Sequence, residues 1–165
     1  MALLVWVPEL DTGIAEIDRQ HRRIVDYINK LYELRASPDR DGLGHVIAEM
    51  VDYTESHFTF EEDMLERAGY VFLGPHKKVH ELFIRRIASL QARFEVGEDV
   101  TGELHDMLSR WLFNHIRHED HSYVEIAKAH LESNQATAET ERKNFQTMVQ
   151  KSTKKKSWLA RLMDW

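Results

Sequence analysis

Trp111-Leu112-Phe113-Asn114-His115-Ile116-Arg117-His118-Glu119-Asp120, continuing to Tyr123, decides how this chain is read. The stretch has an apolar helical pattern, yet a histidine and a carboxylate stand inside it, where an unpaired polar group is costly. Three other segments put the same residue types at the same kind of inward position. They are His21, then His57 with Glu61, then His76 with His80. These seven side chains read as one site, and the rest of the chain as the scaffold that assembles it.

The periodicity around each segment is helical. Ile17, His21, Ile24, Ile28 and Leu31 step by threes and fours along one buried face. Ser37-Pro38-Asp39-Arg40-Asp41-Gly42 breaks that pattern. A second stripe carries Ile47, Met50, Thr54, His57, Glu61 and Met64, with Gly69 as its terminator. Pro75 fits the first turn of a third helix, whose face is His76, His80, Phe83, Ile87, Leu90 and Phe94, closed by Gly97. A fourth runs from about Thr101 to Ala129 with Leu104, Leu108, Trp111 and His115 inward. Four long amphipathic helices with short links predict an all-α, up-down-up-down four-helix bundle. Residues 1–16 contain Pro8 and Gly13, show no sustained period, and read as an N-terminal arm lying over the body. The expected division is a bundle over 1–130 and a C-terminal extension over 131–165.

Composition narrows the chemistry. The chain has 165 residues, enough for one domain with a real core, and a formal charge of −6. That charge is uneven. From Arg142 onward seven basic residues face one acid, Asp164, so the tail is positive and the body strongly acidic. An acidic body argues against nucleic acid as the main partner. The chain has no cysteine, which excludes disulfides, iron–sulfur clusters and thiolate zinc sites. The opening residues lack a basic n-region and a long apolar run, and no stretch approaches transmembrane length, so a cytoplasmic protein is expected.

Residues four apart on a helix are offset by about 40° and point the same way. His57/Glu61 and His76/His80 therefore each present two donors to one point in the core, with His21 and His115 adding one each. Asp120 is five residues from His115, about 140° round an ideal helix. Either a π-bulge realigns it or it approaches from one turn further along. The stripe Ile116, Asp120, Tyr123, Ala127 supports an inward Asp120. For two octahedral metals, two bridging carboxylates, a bridging oxygen and five histidines fill all but one of about twelve positions. Imidazole and carboxylate without thiolate suit iron or manganese better than structural zinc. The Glu-x-x-His motif of ferritin-like carboxylate bundles is absent.

Together, Ile17-Asp18-x-Gln20-His21, His57-Phe58-x-x-Glu61-Glu62, His76-x-x-x-His80 and Trp111-Leu112-x-Asn114-His115-Ile116 with Asp120 and Tyr123 resemble hemerythrin, in particular its single-domain bacterial form. The resemblance runs from about Trp6 to His130, with all seven ligand positions filled. It implies two iron ions with an oxo or hydroxo bridge, and reversible binding of dioxygen. It further implies His76, His80 and His115 on one iron, His21 and His57 on the other, with Glu61 and Asp120 bridging. Leu112, Ile116, Trp111, Phe58 and Ile24 are expected to wall a dry dioxygen pocket, since water and stray protons would inactivate the centre.

Each histidine taken alone is more commonly a satisfied buried polar residue. Helix two supplies its own control: His45 and Glu49 share the spacing of His57 and Glu61, but fall with Asp52 and Ser56 on the polar side. His105 and His130 are expected at the surface, His118 and His121 flank Asp120, and Glu62 is read as surface or as lying behind a ligand. In the tail, Phe145, Met148 and Val149 have helical spacing. Further on, Lys154-Lys155-Lys156-Ser157 precedes Trp158, Leu162 and Trp165 on one face, a composition suited to an anionic membrane surface or a partner groove. Packing on the bundle and disorder are the alternatives for that tail. The expected function is an oxygen carrier, store or sensor without catalysis. The rivals are a di-iron oxidase, a peroxide or nitric oxide detoxifying enzyme, and a signalling module acting through the tail.

Overall fold

The computed structural model describes residues 3–35, 39–133 and 142–149, all of them in helices and their connections. A 3-10 turn, Pro8–Leu10, precedes α1 (Ala15–Leu34), α2 (Arg40–Ala68), α3 (Leu73–Glu95) and α4 (Thr101–His115). A π-helical turn, Ile116–Asp120, joins α4 to α5 (His121–Ser133), so the two form one long rod. Residues 142–149 form a further helix, α6. Helix α1 packs on α2 and α4, and α2 packs on α3 and α5, the arrangement of the expected four-helix bundle.

Local chemistry sets the helix ends. The Asp39 carboxylate caps α2 by accepting from the Gly42 amide at 2.8 Å. Gly69 ends α2 in the left-handed region at φ 71°, its N–H returning to the carbonyls of Leu65 and Glu66. Gly97 does the same work past α3 at φ 105°. At the start of α1 the buried Asp18 carboxylate accepts from the Thr12 amide and hydroxyl, each at 2.7 Å, and from the Gly13 amide at 3.0 Å. That knot ties the arm to the helix that carries His21. The arm also exchanges two hydrogen bonds between Leu4 and the Asn29 side chain, and it buries Leu10 completely.

The core follows the predicted stripes. Ile17, Ile24, Ile28 and Leu31 of α1 meet Ile47, Met50 and Met64 of α2, Phe83, Ile87 and Leu90 of α3, and Leu104 and Leu108 of α4. On the outer side, Phe145 of α6 is buried edge-on against Tyr53 and Phe60 of α2, at ring-centroid distances of 5.8 and 5.4 Å. Residues 142–149 therefore pack on the bundle, while the basic cluster and Trp158–Trp165 lie outside the described residues. Among the described residues no helix is long and apolar enough to cross a membrane.

Beside Val149, which packs on the core, Phe145 is the one fully buried side chain of α6. Replacing it by Phe145→Ala is expected to lower the unfolding free energy by about 3 kcal/mol in urea denaturation, with metal stoichiometry unaltered. An unchanged denaturation midpoint would mean that α6 adds nothing to the bundle.

Candidate metal centre

The seven predicted donors converge. His21 comes from α1, His57 and Glu61 from α2, His76 and His80 from α3, His115 from the end of α4, and Asp120 from the end of the π turn. All are buried, none exposing more than 3% of its surface. Glu61, His76, His80 and His115 place one donor atom each within 4.8 Å of one another. Glu61 Oε2 lies 3.3 Å from His80 Nε2, 3.6 Å from His76 Nε2 and 3.8 Å from His57 Nε2. Asp120 spans the other side, with Oδ1 at 3.0 Å from His115 Nε2 and Oδ2 at 3.2 Å from His21 Nε2. Each carboxylate thus reaches histidines from two helices.

The π turn settles the register of Asp120. With i→i+5 pairing it takes one residue more than an α turn, so a side chain five positions after His115 returns to the same face. Of the two routes open from sequence, the structure takes this one. Ile116, inside the turn, is fully buried.

Two of the candidate donors are held from behind. His57 Nδ1 lies 2.7 Å from Gln20 Oε1, and His80 Nδ1 lies 2.8 Å from Glu62 Oε1. Both contacts turn Nε2 inward. Of the two placements the sequence allows for Glu62, the structure shows the one behind His80. Gln20 holds the same place behind His57, a role that the sequence motif alone does not assign. The signal was its place three residues after Ile17 and four before Ile24, a polar group on an apolar stripe. Phe58 lies flat on His80, with centroids 3.7 Å apart and planes 4° apart, and Trp111 stacks on His115 at 4.3 Å and on Phe83 at 3.6 Å. Leu112, Ile116 and Ile24 are buried in the same core, whereas Trp111 is half-buried.

Two surface expectations are corrected. His105 is buried beneath Tyr32, ring centroids 5.6 Å apart, because α1 covers the flank of α4 on which it sits. Ser56 is also buried, its hydroxyl donating to the Asp52 carbonyl at 2.8 Å, so a serine near the polar face is satisfied by its own helix. His130 is half-buried, and His45 and Glu49 are exposed as the control required.

The electrostatics call for a cation. Both oxygens of Glu61 and of Asp120 are buried without an aligned hydrogen bond, as are both ring nitrogens of His21 and His76 and Nε2 of His57. Buried polar atoms rarely stay so. Burial and repulsion from His21 hold His57 down to about 3, keeping it a neutral ligand. Burial opposes a charged His80, yet Glu61 and Glu62 outweigh it and raise it to about 9. Burial and the Glu61 charge oppose ionisation of Asp120, but His115 and His21 hold it at about 2. Against burial, His76 and His80 keep Glu61 well below its usual value. Tyr123 is pushed well above its usual value by burial and by those two carboxylates, so its phenol stays protonated beside them. His80 Nε2 and His115 Nε2 face each other at 3.0 Å, a contact that a shared proton or a metal ion relieves.

Fold and site define a histidine-rich carboxylate metal centre inside a four-helix bundle. Residues 12–127 match the hemerythrin HHE cation binding domain, and the chain belongs to the hemerythrin family. It is 55% identical over 131 residues to the bacteriohemerythrin of Stenotrophomonas maltophilia (strain R551-3), covering 79% of this chain and 86% of that one. Over 128 residues it is 53% identical to the bacteriohemerythrin of Pseudomonas aeruginosa (strain LESB58), covering 78% and 84%. A crystal structure of wild-type hemerythrin superposes with a TM-score of 0.73 at 31% identity, covering 76% of this chain and 98% of that chain.

If His80 is a ligand, metal entry displaces a proton. His80 carries one below about pH 9 in the metal-free chain, whereas a metal ligand must be neutral. Metal affinity is therefore expected to rise from pH 6 to 9, by up to about ten-fold per unit for that proton, with proton release visible in calorimetry across buffers. A flat affinity over that range would show that His80 is not a ligand.

Proposed function

We propose that this chain binds dioxygen reversibly at a pair of non-heme iron ions, as a carrier, store or sensor, with His21, His57, Glu61, His76, His80, His115 and Asp120 as the ligands. The observation that carries this reading is the pair of buried carboxylates, Glu61 and Asp120, facing five imidazoles with no aligned hydrogen bond to their oxygens. Two iron ions would supply the electrons and the vacant coordination position that reversible dioxygen binding needs. The donor set fits them, being oxygen and imidazole nitrogen without thiolate.

The chain's own residues divide the remaining work. His76, His80 and His115 would hold one ion, and His21 and His57 the other. Glu61 and Asp120 hold the pair together and offset its charge. Gln20 and Glu62 keep the Nε2 atoms of His57 and His80 aimed inward. Leu112, Ile116, Trp111, Phe58 and Ile24 would keep water from the bound metal pair, and that exclusion would separate reversible binding from irreversible oxidation.

The reduced, iron-loaded chain is expected to take up one dioxygen per two irons and release it when the pressure falls, as an oxygen electrode would record. Sustained uptake with added reductant would assign an oxidase instead. Leu112→Ala opens the pocket wall and is expected to speed autoxidation while the iron content stays at two per chain. An unchanged autoxidation rate would remove Leu112 from the wall.

A further inference from the structure

Of the five histidines, His80 alone is backed by a carboxylate among the described residues. Glu62 Oε1 sits 2.8 Å from its Nδ1, and Phe58 stacks flat on the ring, so the imidazole is locked in plane and in tautomer. His57 is backed by the neutral amide oxygen of Gln20. Nδ1 of His21, of His76 and of His115 is buried without a hydrogen-bond partner. The two sides of the site are therefore electrically unequal. Glu62 also reaches solvent. Its side chain is 22% exposed, and Lys77 Nζ lies 3.8 Å from its Oε2 and 3.8 Å from Glu66 Oε2. A line of charge thus runs Lys77, Glu62, His80 from the surface to the ligands.

We propose that Glu62 is a positioning residue that makes His80 the strongest imidazole donor of the centre, biasing the pair toward the ferric state, and that Lys77 moderates this bias. A carboxylate behind a ligating imidazole raises the electron density at the metal-facing nitrogen. A stronger donor favours the more highly charged ion. Lys77, with opposite charge on the far side of the same carboxylate, withdraws part of that effect. Because Lys77 is 41% exposed and divides itself between Glu62 and Glu66, its share is the smaller one. This inference rests on the metal-pair reading above.

The test uses the full iron-loaded chain with Glu62→Gln, Glu62→Ala and Lys77→Met. Glutamine keeps an oxygen for His80 Nδ1 and removes only the charge, whereas alanine removes the contact as well. Iron is counted per chain, the ferric/ferrous midpoint is measured by spectroelectrochemistry, and the metal-free thermal midpoint serves as the fold control. Glu62→Gln is expected to keep two irons and to lower the ratio of ferric to ferrous affinity about ten-fold, within the range such outer partners carry. Glu62→Ala is expected to fall further, with weakened iron retention, and Lys77→Met to shift the midpoint the opposite way by less. Unmoved midpoints at two irons per chain, or shifts of one sign in Glu62→Gln and Lys77→Met, would overturn the proposal alone. An unmodified chain without two irons would overturn the metal-pair reading and this proposal together. A variant whose metal-free form melts lower but whose midpoint is unmoved would assign Glu62 to stability only.

Discussion

Two buried carboxylates are the constraint on which the structure depends. Glu61 and Asp120 are wholly enclosed within the bundle, and an isolated charge there is costly enough that it would ordinarily be neutralised. Here their ionisation is favoured by surrounding imidazoles, several of whose buried ring nitrogens have no hydrogen-bond partner. Such a cluster is internally unsatisfied as a protein core. It becomes balanced when positive charge with directional coordination enters it. The bundle around it supplies rigidity: the ligands arrive from all four helical rods, so none can relax toward its neighbour without moving a packed helix.

The local devices serve that same end. Asp39 and Gly69 bound the helix that brings His57 and Glu61, while the Asp18 knot fixes the start of the helix that brings His21. The π turn gives up regular α pairing at a single place, next to the site, where such bulges tend to be retained. Phe58 and Trp111 act twice, as core aromatics and as plates against His80 and His115. The same rings thereby fix the orientations of the two imidazoles.

Much of this was legible because helical spacing translates directly into direction. Four-residue offsets placed His57 with Glu61 and His76 with His80 on common faces, and capping residues marked the breaks. Asp120 stood at the limit of that logic: a five-residue offset admits two solutions, and only three-dimensional packing chooses the π turn. His105 escaped because its burial comes from Tyr32 of another helix, a contact that no intrahelical period encodes. Gln20 was visible as a polar break in an apolar stripe, but its partner, 37 residues away, was not. The docking of α6 rests on Phe145 and Val149, too few apolar positions to give a strong period.

The most direct measurement is an iron anomalous difference map from crystals of the iron-loaded chain. The account predicts two peaks about 3.5 Å apart, with Glu61 and Asp120 each contacting both and His21 and His57 ligating the second. A single peak among Glu61, His76, His80 and His115, with His21 and His57 unligated, would contradict it.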